Sequence, residues 1–216
     1  MKTAAAPLPT CLLYTSGDGA NLRYFKPGET LPAKHQLLLT FTDDSAFTVT
    51  VQMYGGIWAY PERANHNPYY IEAKSKPHPL SDDFSMKYFQ TLYRTTKPTS
   101  SLKAFLATEQ RIPGLGNGVL QDILFQAHLH PKTKLQGLTE IQRNNLYWSI
   151  KNTLLQMAQQ GGRNTEKDLF GANGGYHTIL SNKTWQKPCP VCGGEIIRQT
   201  YLGGNIYFCP HCQPPA

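Results

Sequence analysis

Four of the five cysteines fall in the last 28 residues. They read Cys189-Pro190-Val191-Cys192, sixteen further residues, then Cys209-Pro210-His211-Cys212. Two tight turns that each offer two thiolates at this spacing form the pattern of a tetrahedral structural zinc site. All four positions are thiols, so no coordination position is left for catalysis. Two disulfides are the other reading of such cysteines. The chain shows no export signal, and a reducing compartment disfavours them. Cys11 stands apart and is expected to be a free thiol without a role.

A second stretch offers anion chemistry. Arg111-Ile112-Pro113-Gly114-Leu115-Gly116-Asn117 lies between two apolar-periodic segments. Two glycines one residue apart permit a tight turn and close backbone approach. The following helix start directs amide groups outward with positive partial charge, which suits a phosphate. Asn117 can add a side-chain hydrogen bond, and Arg111 electrostatic support. A capped turn with nothing bound is the competing reading of this segment, as a solvated helix-end charge is for Arg111.

These groups need elements to hold them. Residues 1–19 carry no periodic pattern and read as an irregular tail. Residues 22–25, 36–41, 46–52 and 57–60 read as strands, with Asp43-Asp44-Ser45 as a hairpin turn. That is few strands for a complete sandwich or barrel. Residues 61–80, rich in Pro, Asn, Tyr and Lys, read as a linker. Ser81-Asp82-Asp83 offers a helix cap ahead of Phe84, Tyr88, Phe89 and Leu92. Leu102, Phe105 and Leu106 share a helix face that Pro113 is expected to end. Val119, Leu120, Ile123 and Leu124 share another. Ile141, Leu146, Ile150, Leu154 and Met157 share a third, capped by Thr139 and ended by Gly161-Gly162. Residues 195–201 and 205–208 read as two strands around Leu202-Gly203-Gly204, giving a zinc-stapled hairpin.

The fold class expected is therefore α+β: a partial N-terminal β-sandwich, a helical domain, and a C-terminal zinc hairpin. The boundaries are 1–19, 20–80, 81–183 and 184–216. The chain has 216 residues, 21 Lys and Arg against 14 Asp and Glu, and 40% hydrophobic residues. It can bury a core, which excludes wholesale disorder. Residues 1–100 carry 10 basic and 8 acidic side chains, and residues 101–216 carry 11 and 6. The excess, +2 against +5, points to a polyanion bound mainly by the second half. No apolar run approaches the roughly 20 residues of a membrane helix. We expect a cytoplasmic monomer with no membrane partner.

Gln110 to Phe125, with Gly114-Leu115-Gly116-Asn117 and Asp122-Ile123-Leu124-Phe125, resembles the helix–two-turn–helix of the formamidopyrimidine-DNA glycosylase and endonuclease VIII family. His130-Pro131, Gly161-Gly162, Gly175-Tyr176 and the terminal Tyr207-Phe208-Cys209-Pro210-His211-Cys212-Gln213 follow in the family's order. The likeness covers roughly residues 20–213. The resemblance implies base-excision repair: a bifunctional DNA glycosylase/AP lyase that flips a damaged base from duplex DNA and uses an amine nucleophile. It implies DNA contacts at Lys34 on phosphate, at Met53 as the wedge that fills the gap, and at Arg111, Gly116, Asn117 and Tyr176. The loop 163–176 matches the family's cover over the flipped base. Structural Zn2+ on Cys189, Cys192, Cys209 and Cys212 completes the set.

Two departures stand beside it. The family's nucleophile is an N-terminal proline followed by glutamate, and this sequence begins Met1-Lys2-Thr3-Ala4. Pro7 and Pro9 are internal amides, so no catalytic residue is assigned and impaired catalysis is expected. Two accounts fit: a natural non-catalytic binder of damaged DNA, or an N-terminally truncated member with unrelated sequence at 1–16. Lys34 as a surrogate amine would need a neighbour that lowers its pKa. The second departure is Gly204, where the family places a phosphate-gripping arginine. The alternative to a glycosylase-line protein is a non-catalytic nucleic-acid module built from a helix–two-turn–helix and a zinc ribbon. A protein–protein zinc adaptor would leave the glycine-rich turn unexplained.

Overall fold

The computed structural model describes residues 20–51, 60–61 and 64–215, which fall into two compact units, 1–74 and 75–216. Cys11, Met53 and positions 57–59 of the fourth expected strand lie outside the described residues. Tyr60 is in no strand.

In the first unit, β1 (Ala20–Phe25), β2 (Leu37–Thr40) and β3 (Ala46–Val51) form an antiparallel sheet in the order β1-β3-β2. The register places Leu22 and Leu37 opposite Val49. The central strand buries Ala46, Thr48 and Val49, whereas β2 exposes Leu38 and Leu39. The β2–β3 turn forms as expected. The Asp43 carboxylate accepts the Ser45 amide at 3.1 Å and the Ser45 hydroxyl at 2.6 Å. Those bonds hold its pKa below the usual carboxylate value. The expected linker contains a helix, α1 (Pro68–Ser75). Its proline sits at the first helical position, where the missing amide costs nothing. Without an apolar stripe, periodicity could not reveal it.

In the second unit, α2 (Met86–Thr95) is capped by Ser85, whose hydroxyl accepts the Tyr88 amide. The cap expected at residues 81–83 therefore moves. Phe84, fully buried, must turn inward before the helix begins, and it staples Phe89 at a ring separation of 6.5 Å. Next come α3 (Leu102–Ala107), α4 (Asn117–Gln126) and α5 (Glu140–Gln159). Thr139 and Gln142 form a reciprocal capping box on α5. Gly161 and Gly162, at φ 70° and 103°, follow its end. Pro113 does not stop α3, which closes at Ala107 with Glu109 and Gln110 already at positive φ. Phe84, Phe89, Leu102, Phe105, Leu120, Ile123, Leu146 and Ile150 build the core. Ile141 lies outside it, 73% exposed. The buried stripe Leu146, Ile150, Thr153 and Met157, extended back one turn, passes through position 143 rather than 141.

The unit ends in β4 (Ile197–Tyr201) and β5 (Gly204–Phe208), antiparallel around Leu202 and Gly203. Both turn residues have positive φ, 46° and 72°, the hand a two-residue hairpin needs. Ile196, Tyr207, Cys189 and Cys209 pack with Leu180 on Phe125 of α4. Among the described residues no helix is long and apolar enough to cross a membrane.

Candidate nucleic-acid interface and metal centre

The four hairpin cysteines converge. One sulfur from each lies within 4.8 Å of all the others, with Cys192 Sγ 3.4 Å from Cys209 Sγ and Cys189 Sγ 3.8 Å from Cys212 Sγ. Gly193, at φ 73°, turns the first knuckle, and its amide donates to the Cys189 carbonyl at 2.8 Å. Burial opposes the Cys189 thiolate, but amide bonds from Cys192 and Val191 outweigh it and bring its pKa down to about 7. Burial and the crowding of the neighbouring sulfurs push Cys212 up to about 12. Four thiols this close cannot ionise together unless a cation joins them. A soft divalent ion of tetrahedral preference fits the set, and the cluster is suited to structural zinc.

The glycine-rich turn leads into α4 with Gly116 as its N-cap. Gly114 needs glycine, at φ 78°, whereas Gly116, at φ −107°, is ordinary extended backbone. Ile112 and Leu115 anchor the turn in the core. The Val119 and Leu120 amides both point to the Gly116 carbonyl. The Asn117 amide stands ahead of them at the helix's positive end.

Turn and hairpin are joined. Asn117 Nδ2 donates to the Asn205 carbonyl at 3.0 Å. Gln121, one helical turn on, donates to the same carbonyl at 3.1 Å and accepts the Tyr207 amide at 3.1 Å. Lys103, from the buried face of α3, sends its ammonium to the Tyr201 and Gly204 carbonyls. Burial lowers its pKa. A Cβ added at Gly204 would lie 3.4 Å from Asn117 Nδ2 and 3.5 Å from Lys103 Nζ. The Lys132 ammonium rests over the Tyr201 ring at 5.1 Å. Below this, Gln213, fully buried, donates to the Leu129 carbonyl at 2.9 Å and accepts the Cys209 amide at 3.1 Å. The phosphate-type turn, two lysines and the metal knuckle thus form one welded block.

Residues 76–168 match the model of the formamidopyrimidine-DNA glycosylase H2TH domain. Formamidopyrimidine-DNA glycosylase of Legionella pneumophila is 33% identical over 184 residues, 82% of this chain and 62% of that protein. The Pasteurella multocida protein of the same name is 30% identical over 203 residues, 91% of this chain and 73% of its own length. The chain belongs to the formamidopyrimidine-DNA glycosylase family. It spans 62% of the length of the Legionella relative. Lactococcus lactis Fpg in complex with abasic-site DNA shares the fold, with a TM-score of 0.75 at 24% identity, covering 94% of this chain and 74% of that one. MutM (Fpg) from Thermus thermophilus does so at 0.73 and 24%, covering 92% and 77%.

Within this formamidopyrimidine-DNA glycosylase fold the other expected contacts take varied positions. Lys34 is exposed in the segment before β2, in the first unit. Arg111 is turned inward. Its guanidinium donates to the Ala104 carbonyl and the Thr108 hydroxyl, each at 2.9 Å, and pairs with Glu109, closing the end of α3. Tyr176 is 5% exposed and its hydroxyl binds the buried Asp122 carboxylate; burial, with the Asp122 charge adding to it, raises its pKa. Asp122 also accepts the Ile179 and Leu180 amides at 2.9 and 2.8 Å. Tyr176 is a strut under the loop 163–176 rather than part of its surface. Met53 lies outside the described residues. Lys103 escaped the sequence reading, since a single lysine on a short helix carries no signal of its own.

Proposed function

We propose that this chain binds duplex DNA carrying a damaged base or an abasic site, gripping the backbone beside the lesion with the block around Asn117. The observation that carries this reading is the Asn117–Asn205 bond, with Lys103 seated on Gly204. It sets a helix-start amide and a carboxamide on one surface, with the buried Lys103 ammonium holding the hairpin behind them. Phosphate contacts of this kind position a protein on DNA without reading sequence. Asn117 and Gly116 are the backbone contacts, and buried Lys103 fixes the hairpin behind them. Lys34 and Met53 are assigned to phosphate and wedge roles on the family likeness. Arg111 and Tyr176 support the site from behind. We further propose lesion binding without Schiff-base chemistry.

Two measurements test it. Anisotropy titration with an abasic-site duplex should show affinity falling with salt, by about 0.9 in log K per log unit of salt for each phosphate neutralised. Binding that ignores salt would remove the DNA reading. Borohydride added to the same mixture should trap no covalent adduct, and a trapped adduct would overturn the impaired-catalysis reading while leaving DNA binding intact.

A further inference from the structure

The loop 163–176 is a closed flap. Its two ends pair, with the Asn164 amide on the Tyr176 carbonyl at 2.8 Å and the Tyr176 amide on the Gly162 carbonyl at 3.0 Å. Its far end is tied by the Asp168 carboxylate, which accepts the Phe170 and Ala172 amides at 2.9 and 2.8 Å. A unit so tied moves as a body, and what fixes its pose is where its root rests.

Both ends of the root rest on α4. Tyr176 reaches Asp122, as described. Arg163 reaches Gly118, in the first turn of the helix that begins with Asn117. A Cβ built on Gly118 would come 2.4 Å from Arg163 Nη1 and 2.7 Å from Nη2. The guanidinium therefore lies on the bare glycine backbone, in space any other residue would claim. Arg163 is 13% exposed and forks onto Glu166 through Nη2 and Nε, the latter at 3.3 Å. A cation at a helix start is opposed by the helix dipole. Glu166 on the flap and Asp122 on α4 supply the negative charge that holds it there.

We infer that Arg163 is the positioning residue of the 163–176 flap and Gly118 its socket, so that the flap is posed from the same helix turn that grips the DNA backbone. The flap's role over an extrahelical base rests on the proposed function. The latch itself does not.

The test uses the full chain with zinc and three variants: Arg163→Met, Gly118→Ala and the double variant. Two quantities are read. One is hydrogen exchange over residues 164–175. The other is the ratio of affinities for a tetrahydrofuran abasic-site duplex and an unmodified duplex. Loss of the charge-assisted fork and of the guanidinium's seat on Gly118 should raise exchange and cut the affinity ratio about tenfold in Arg163→Met, with the salt slope on unmodified duplex unchanged. Gly118→Ala should do the same although alanine is the better helix former, so it should melt no lower than wild type. The double variant should be no worse than Arg163→Met alone, since both changes empty one contact. Exchange within twofold of wild type in either single variant, or fully additive effects, would overturn the latch. Failure of every form to bind DNA would remove the proposed function, while the exchange data would still decide the latch.

Discussion

Asn117 faces two ways. Its Nδ2 ties α4 to the hairpin, and the rest of its carboxamide stands exposed beside the helix's first amide. Asn117→Ala should weaken duplex binding about tenfold, the value of a hydrogen bond to a charged group. The salt slope should hold, because no charge is lost. Titrations at two ionic strengths separate the two effects. Gly204 gives the opposite experiment. A Cβ there makes only ordinary contacts with Asn117 and Lys103, so an arginine can start from this position. Gly204→Arg should tighten binding and steepen the salt slope by about 0.9, one added phosphate. An unchanged slope would mean that DNA does not pass the hairpin tip. Single residues were unequally legible in the sequence. Glycines at close spacing open backbone conformations that other residues avoid, so the turn could be read. Lys103 could not, because a carbonyl 101 residues further along the chain defines its place. The contacts of Arg111 were hidden for a related reason. A basic residue next to a phosphate-type turn suggests an anion, yet its guanidinium turns back onto the Ala104 carbonyl and the Thr108 hydroxyl at the end of α3.

The hairpin is the element whose state decides the site. Its strands are short, and with a small share of the core they cannot hold together without metal. A strong chelator should release one zinc per chain, abolish the β4–β5 protection in hydrogen exchange, and weaken DNA binding, because the carbonyl partner of Asn117 lies on β5. The helical core around Phe84, Phe105 and Ile123 should stay protected. A chelated chain that binds DNA as the holoprotein does would separate the hairpin from the interface. Elements were legible wherever one pattern dominated. Cysteine spacing specified the staple, and a buried stripe specified α4 and most of α5. Boundaries failed where two local rules competed. At α2 the need to bury Phe84 overrode an acidic cap four residues earlier. At α1 a proline that reads as a breaker was a helix start.

Across the molecule, what the sequence could least convey was the seam between helices and hairpin within the second unit. It is made by side chains far apart in the chain: Asn117, Gln121, His130 and Gln213. His130 gives this seam a pH dependence whose sign can be worked out. It is 6% exposed, its ring meets Phe208 edge-on at 4.3 Å, and its Nδ1 accepts the Lys132 amide at 3.1 Å. Burial, with the Lys132 charge adding to it, holds its pKa below the ordinary imidazole value. Well above the unfolded imidazole's pKa of roughly 6.5 the ring is neutral in folded and unfolded chains alike and contributes no pH dependence. As pH falls below that value the unfolded chain takes up the proton first, so it binds more protons than the folded chain. Stability is therefore lost on acidification through this window until the folded His130 is itself protonated. The melting temperature should drop between pH 7 and 5, and His130→Leu should flatten that slope. Zinc content measured at each pH separates this from acid release of the metal, which requires protonation of the thiolates. If the leucine variant loses stability as steeply as wild type while zinc stays bound, the acid-sensitive group of the seam lies elsewhere.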